Sequence, residues 1–188
     1  MTPKQTGDVN ININKPLSKK IQERILPSWF NMDLFPGPED KLELSESDWQ
    51  KRLSHSEYRV MRSEGTDRPF ANEYFDTKIK GVYLCRGCSM PVFSSSTKFD
   101  SGTGWPSFFA PVSQEYIGVS SDKSMLMERT EVHCARCKAH LGHVFDDGPQ
   151  PTGLRYCLNS NALRLIDETA HQKIVNGMED ELDFTLNR

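Results

Sequence analysis

Cysteines are the residues of this sequence best suited to chemistry, and four of the five form two pairs. Cys85 and Cys88 make one C-x-x-C motif, and Cys134 and Cys137 make a second. Zinc binds four thiolates in a tetrahedron, and each C-x-x-C turn presents two sulfur atoms on one side. The two motifs therefore predict one structural Zn²⁺ that joins two distant hairpins. A closed four-thiolate shell leaves no coordination position for catalysis.

Other interpretations of these motifs are redox-active C-x-x-C pairs, buried free thiols, or a switch from which peroxide releases the metal. A thioredoxin-like motif follows a strand and opens a helix in a βαβ unit. Neither pair lies in that sequence setting. Zinc is therefore the favoured interpretation.

The fifth cysteine, Cys157, lies in the run GLRYCLNS, outside the four-ligand set. Alternate side chains of a strand share a face, so Arg155, Cys157 and Asn159 are expected to point the same way. A neighbouring cation lowers the pKa of a thiol and raises its thiolate fraction. The alternative is a small core residue, and the two flanking residues alone do not separate these interpretations.

Upstream of this cysteine, the run HLGHVFDDG contains His140, His143 and Asp147. A cysteine with a histidine and a carboxylate is the usual set for an activated thiol nucleophile. Surface histidines are the ordinary alternative, and metal-ligating histidines are unnecessary because four cysteines already complete a shell. The combination favours a reactive thiol at Cys157.

These side chains must be positioned by a mainly β framework. Short segments rich in β-branched and aromatic residues are separated by Gly, Pro, Ser and Asp, which predicts a mainly antiparallel β domain. Before them, Ser45 with Asp48, and Ser54 with Glu57, are start signals for two short helices. One more helix is predicted near 167–175. The candidate strands are IKGVYLC, MPVF, EYIGV, MLMERTEVHC, HVF, LRYCLNS and ALRLI.

The overall composition excludes several classes of protein. The 188 residues carry a formal charge of -3 and the pI is about 6.0, so the basic surface of a nucleic-acid binder is not expected. No apolar run approaches the roughly 18–20 residues that span a bilayer. The polar N-terminus lacks the apolar region of a secretory signal. We therefore expect a cytoplasmic protein with reduced cysteines and with no nucleic-acid or membrane partner.

Three segments of the sequence together resemble the B-type methionine sulfoxide reductases, which reduce the R epimer of peptide-bound methionine sulfoxide. They are SGTGWPSF, YLCRGC and RTEVHCARCKAHLGHVFDDGPQPTGLRYCLNSNALRL. The resemblance runs from about residue 42 to residue 166. It implies that family's twisted antiparallel β-sheets, with the zinc at the end opposite the active site. It also implies a catalytic domain over 41–168, which leaves a partly disordered N-terminal extension over 1–40 and a tail over 169–188. The first 20 or so residues are rich in Asn, Lys and Thr, and this composition predicts that they are mobile.

The same resemblance implies a role for each candidate site residue. Cys157 attacks the sulfur of the sulfoxide, and His143, helped by Asn159, binds and protonates the oxygen. The product is methionine and a cysteine sulfenic acid. Arg155 supplies a charge that favours the thiolate, and Asp147 supplies a carboxylate that orients a histidine. Trp105 forms an apolar wall of the pocket, and His140 is a second substrate-binding side chain.

Two positions depart from the family pattern. Many relatives have a resolving cysteine where this chain has Thr103, so we expect recycling by thioredoxin or another external thiol. Leu165 replaces a frequent phenylalanine and is expected to alter the pocket lining slightly.

We expect the protein to be a monomer. The alternative to an enzyme is a non-enzymatic zinc-stabilised β module that binds ligands or acts as a chaperone.

Overall fold

Residues 11–122 and 129–177 are described in the computed structural model of this protein. Within these ranges the chain forms two antiparallel β-sheets and a small set of helices. The strands are β1 (Val82–Cys85), β2 (Pro91–Ser94), β3 (Lys98–Phe99), β4 (Ser107–Phe108), β5 (Ile117–Asp122), β6 (Arg129–Cys134), β7 (His140–Phe145), β8 (Arg155–Leu158) and β9 (Leu163–Ile166). The α-helices are α1 (Lys19–Ile25), α2 (Glu46–Arg52), α3 (His55–Arg62) and α4 (Glu168–Val175).

Strand pairing is antiparallel throughout the described ladders. One sheet has three strands in the order β2-β1-β9, and the other has six in the order β3-β4-β8-β7-β6-β5. The predicted mainly β, antiparallel fold is confirmed. The strand that carries the fifth cysteine, β8, lies inside the larger sheet between β4 and β7, so neighbours on both sides fix its position.

The helices begin where the sequence predicts. The Ser45 side chain accepts a hydrogen bond from the backbone of Asp48 at the start of α2. Ser54 and Glu57 form a reciprocal capping box at the start of α3. These caps satisfy backbone N–H groups that the first helical turn leaves unpaired. The helix predicted near 167–175 is also present as α4, capped by Asp167.

An aromatic core joins the two sheets. Tyr83 and Phe93 from the small sheet meet Phe108 and Tyr156 from the large sheet, with ring centroids 4.9–5.4 Å apart. All four side chains are fully buried. Because Tyr156 faces this core, the alternating side chains of β8 must face the other side of the sheet. The core therefore determines the direction in which Cys157 points.

The N-terminal extension packs on the domain as far as it is described. Residues 1–10 of the segment expected to be mobile lie outside the described residues. Ile11 and Ile13 are partly buried against the main core, and the expected mobility of the segment stays a prediction. The Ile25 carbonyl at the end of α1 accepts a hydrogen bond from Ser96. The predicted boundary at residue 40 stays a prediction. Among the described helices, none is long and apolar enough to cross a membrane.

A candidate active site and a four-cysteine metal site

The four paired cysteines come together between the two sheets. Cys85 ends β1 and Cys134 ends β6, while Cys88 and Cys137 lie in the turns that follow. All four are buried, and their Sγ atoms lie within 4.8 Å of one another. The closest Sγ pairs are 3.5 and 3.7 Å apart. A tetrahedron with Zn–S bonds of about 2.3 Å has edges of about 3.8 Å, so the four sulfur atoms can hold one such ion.

The two C-x-x-C turns have the same backbone form. Ser89 and Lys138, each the residue after the second cysteine of its pair, have φ of 60° and 59°. Their backbone N–H groups donate to the carbonyls of the first cysteines, Cys85 and Cys134, at 2.8 and 3.0 Å. The local sequence thus builds two matching turns that the rest of the fold brings face to face.

Electrostatics around the four thiols favour a bound cation. Burial raises the pKa of Cys134, so four neighbouring thiolates are not stable there without a compensating charge. Four thiolates and one divalent cation carry a net charge of minus two. Basic side chains surround the two turns and donate hydrogen bonds to their backbone carbonyls: Lys41, Arg52, Arg62 and Arg136.

The fifth cysteine faces a different environment. Cys157 on β8 pairs with Ser107 on β4 and with His143 on β7. Its neighbours Tyr156 and Leu158 are buried, whereas Cys157 is half-buried. This is the alternation that the sequence predicts for β8. Cys157 therefore lies beside a histidine on the accessible side of the sheet.

A cavity of about 120 Å³ opens over this cysteine. Four of the residues predicted for the site lie on its wall, which mixes aromatic and aliphatic surface with a few polar groups. The lining consists of Thr66, Trp105, Arg129, Gly142, His143, Phe145, Cys157, Leu158 and Asn159. Apart from Thr66, Trp105 and Arg129, all of these come from β7 and β8 or the residue directly after β8.

The surroundings of Cys157 favour the protonated form of its thiol. Burial raises the pKa of Cys157, and the nearby Arg155 guanidinium opposes that rise without cancelling it. Arg155 acts in the predicted direction, but Asp147 largely neutralises its charge through two hydrogen bonds of 2.8 and 2.9 Å. The guanidinium also lies over the Phe145 ring at 4.3 Å from the centroid. Formation of the thiolate therefore requires a base.

His143 is the titratable side chain directly across the strand pair from Cys157. Its Nε2 lies 2.8 Å from Asp122 Oδ2, and the same oxygen receives a 2.7 Å hydrogen bond from Arg129. Burial lowers the pKa of His143, although the hydrogen bond to Asp122 acts in the opposite direction. A neutral imidazole that donates Nε2–H to Asp122 keeps the Nδ1 lone pair for proton transfer.

The expectation that Asp147 orients a histidine is wrong. Its carboxylate binds Arg155 through both oxygens, and Asp122 is the carboxylate that meets His143. Asp122 ends β5, and β6 separates that strand from β7 in the sheet. A short-range sequence pattern could not reveal a contact that depends on the pairing of three strands.

His140 lies beside His143 rather than on the pocket wall. The His140 side chain is 3% exposed, and its Nδ1 is 2.7 Å from Glu131 Oε1. The two imidazole centroids are 5.3 Å apart in an edge-to-face arrangement. The hydrogen bond from His140 lowers the pKa of Glu131 to about 2. His140 therefore contacts Glu131 and His143, and it does not line the pocket.

A loop residue that the sequence did not single out holds two pocket side chains. Asp67 is buried, and its backbone N–H donates to Asn159 Oδ1 at 2.9 Å. The Asp67 carbonyl accepts from Trp105 Nε1 at 3.0 Å. Asn159 Nδ2 also donates to the Leu141 carbonyl at 3.2 Å. The signal that could have found Asp67 is an acidic residue in a Pro-containing loop, which is weak.

The two departures from the family pattern lie in different places. Thr103 Oγ1 is 4.0 Å from Cys157 Sγ and 2.8 Å from Ser101 Oγ. Leu165 lies on β9 opposite Tyr83, away from the pocket lining. The expectation that Leu165 alters the pocket is therefore wrong, because β9 belongs to the other sheet.

A buried histidine–carboxylate pair beside a half-buried thiol is the arrangement of a cysteine-dependent enzyme, in which the base activates the nucleophile. The SelR domain matches residues 53–167, which include all of the predicted site residues. The chain therefore belongs to the SelR-domain family, the B-type methionine sulfoxide reductases.

Several relatives are similar over most of the domain. A peptide methionine sulfoxide reductase MsrB of Hahella chejuensis is 56% identical over 125 residues, which is 66% of this chain and 90% of the relative. The protein of the same name from Methanosarcina mazei is 49% identical over 130 residues, 69% of this chain and 93% of the relative. The chloroplastic peptide methionine sulfoxide reductase B1 of Arabidopsis thaliana is 56% identical over 123 residues, 65% of this chain and 60% of the relative.

Proposed function

We propose that this protein reduces the R epimer of methionine sulfoxide in oxidised proteins to methionine, with Cys157 as the nucleophile. The observation that carries the proposal is the position of the Cys157 thiol. It lies on the wall of a cavity that it shares with His143, Asn159 and Trp105. Membership of the reductase family supplies the substrate class.

Substrate binding uses the mixed character of the cavity. The S-methyl group lies against the apolar face of Trp105, and the sulfoxide oxygen points toward His143. Asn159 Nδ2 already donates one hydrogen to the Leu141 carbonyl, and its second hydrogen is the donor for the oxygen. A pocket that holds methyl and oxygen on different sides distinguishes the two epimers at sulfur.

The chemical step transfers one oxygen atom and two electrons. The Nδ1 of neutral His143 takes the proton of Cys157, and Asp122 stabilises the resulting imidazolium. The thiolate attacks the substrate sulfur while His143 gives the proton to the oxygen. The oxygen then passes to Cys157 Sγ as a hydroxyl group, and the bond between the two sulfurs breaks. The products are methionine and a cysteine sulfenic acid, so the thiol proton and both electrons are accounted for.

Recycling requires a thiol from outside the chain. A first thiol attacks the sulfenic acid, releases water and forms a mixed disulfide, and a second thiol then frees Cys157. Thr103 has no thiol, so it cannot form an internal disulfide with Cys157. Spacings of about 3.3 Å per residue and about 4.8 Å per strand put the Cα atoms of Cys157 and Cys134 about 14 Å apart. A disulfide needs Cα atoms within about 7 Å. Thioredoxin is the reductant that we propose.

We assign one Zn²⁺ to the four buried cysteines, Cys85, Cys88, Cys134 and Cys137. The near-tetrahedral spacing of their sulfur atoms and the basic side chains around them support this assignment. The ion cross-links the two hairpins and supplies no catalytic chemistry, because four thiolates close its shell. We also propose that the protein acts as a monomer in a reducing compartment such as the cytoplasm, where all five thiols stay reduced.

An assay with both epimers of a methionine sulfoxide peptide and dithiothreitol tests the function. We expect turnover of the R epimer alone. Cys157→Ser is expected to abolish it while the protein stays folded and metal-loaded, because a serine hydroxyl stays protonated near neutral pH. Turnover by the serine variant would contradict the mechanism. Failure of the wild type with both epimers would instead favour a zinc-stabilised binding or chaperone module.

A further inference from the structure

An aromatic side chain near the pocket has an unusual backbone conformation. Phe70 has φ of 58° and is 60% exposed, the largest exposed fraction among the large apolar residues that the structure describes. Left-handed backbone is unfavourable for a bulky residue, and residues held in it cluster at ligand-binding sites. An exposed phenylalanine in this conformation gains little from core packing, which points to a role in recognition.

Phe70 is fixed to the backbone beside the pocket tryptophan. Its N–H donates to the Gly104 carbonyl at 2.9 Å, and Asn72 Nδ2 donates to the same oxygen at 2.8 Å. A Cβ added to Gly104 would lie 2.8 Å from the Cδ2 atom of the Phe70 ring, so the missing side chain lets the ring lie directly on the chain before Trp105. Phe75 supports the ring from another side in an edge-to-face contact of 6.0 Å.

The loop that carries Phe70 is also tied to the catalytic side of the pocket. Thr66 lines the cavity. Asp67 accepts a hydrogen bond from Trp105 and donates one to Asn159. Phe70 follows Asp67 by three positions, so its place relative to the cavity is set by hydrogen bonds to two pocket residues. The Phe70 backbone is therefore held at a defined place beside the segment that carries the pocket residue Trp105.

We propose that Phe70 docks an apolar residue next to methionine sulfoxide in the oxidised polypeptide. This inference rests on the proposed function. A cavity of about 120 Å³ has room for one side chain, so the flanking residues of a peptide substrate must lie on its rim. Phe70 provides an exposed apolar surface beside the chain segment that carries Trp105, which lines the cavity. The occupant is thus an exposed or unfolded peptide segment with an apolar neighbour of the oxidised methionine.

Three substrates of the R configuration test the proposal, with dithiothreitol as the reductant. They are N-acetylmethionine sulfoxide and two blocked pentapeptides whose central sulfoxide has leucine or glycine on both sides. We expect Phe70→Ala to raise the KM for the leucine peptide about fivefold to tenfold, the scale for uncovering roughly half of an aromatic side chain. The kcat should not change, because the contact is equally strong in the ground and transition states. Turnover of N-acetylmethionine sulfoxide should stay within about twofold of the wild type, as is usual for a remote surface change.

Two further variants separate recognition from stability. Val175→Ala changes a residue that is 49% exposed and lies on α4, a helix that contacts β9, and it should alter no KM. Phe70→Gly places glycine at a φ that glycine adopts readily, so its Tm should equal or exceed that of the wild type while the leucine peptide is still bound weakly. A lower Tm in Phe70→Gly with unchanged KM values would show a structural role and overturn the proposal.

The remaining outcomes also decide the question. If the wild type reduces all three substrates and Phe70→Ala treats them identically, the docking proposal fails while the proposed function stands. If the KM for thioredoxin rises in that variant and the peptide KM does not, the ring contacts the reductant, and the proposal is overturned. If the wild type reduces none of the substrates, the proposed function itself fails.

Discussion

Replacing Asp122 by asparagine tests which carboxylate supports His143, the histidine that we propose as the catalytic base. The asparagine oxygen can still accept the Nε2–H of His143, so the tautomer is kept and only the negative charge is lost. Both side chains are 12% exposed, so solvent screens the pair weakly. Loss of this charge should destabilise the imidazolium by roughly 3 kcal/mol, which slows sulfenic acid formation about 100-fold.

Asp147→Asn is the matched control, because Asp147 is the carboxylate that the sequence pattern favours. Its side chain is 59% exposed and binds Arg155 instead of a histidine. We expect this variant to keep the single-turnover rate within about threefold of the wild type, as for most surface substitutions. The assay is rapid-quench measurement of methionine formed from the R sulfoxide, with saturating substrate and no reductant.

The pH dependence supplies a second, independent readout. The step requires the Cys157–His143 pair to carry one proton. The acid limit therefore follows the lowered pKa of His143, and the alkaline limit follows the raised pKa of Cys157. Asp122 opposes the fall in the His143 pKa, so Asp122→Asn should move the acid limit to lower pH. An unchanged rate and acid limit in Asp122→Asn, with a large loss in Asp147→Asn, would refute the assignment.

Three other substitutions have defined outcomes. His143→Ala should slow sulfenic acid formation roughly 100-fold or more, the usual scale for losing a positioned acid and base; an unchanged single-turnover rate would move that role to His140. Cys134→Ser should lower both zinc content and Tm because it removes one ligand of a four-ligand site, and full zinc content in that variant would argue against the site. Thr103→Cys should form a disulfide with Cys157 after one turnover, since Thr103 Oγ1 is already 4.0 Å from the thiol sulfur. Mass spectrometry detects that bond. Its absence would show that the loop cannot bring the sulfur atom at position 103 within bonding distance of Cys157 Sγ.

Local patterns were sufficient for much of the fold. The helix caps at Ser45 and Ser54 depend on residues only three positions away, so a local pattern is enough to predict them. The alternation around Cys157 depends only on the period of a strand. The two cysteine pairs of the candidate metal site are also predictable, because each C-x-x-C turn carries its own local geometry.

Long-range contacts set the parts that the sequence did not reveal. The contact of Asp122 with His143 requires β5, β6 and β7 to pair in one register, and a shift of one residue would turn the side chains to opposite faces. The net rise in the Cys157 pKa depends on burial by the whole sheet, which outweighs the neighbouring charge of Arg155. Asp67 holds Asn159 and Trp105 through its backbone, and side-chain chemistry gives only a weak sign of that role.

A single turnover in the absence of reductant tests the central claim most directly. The wild-type protein is mixed with one equivalent of the R sulfoxide peptide, treated with dimedone, and mapped by mass spectrometry. The proposed mechanism predicts one methionine per chain and a dimedone adduct on Cys157, with no disulfide between that residue and the four metal-site cysteines. Methionine formed without the adduct, or a disulfide from Cys157 to any metal-site cysteine, would contradict it.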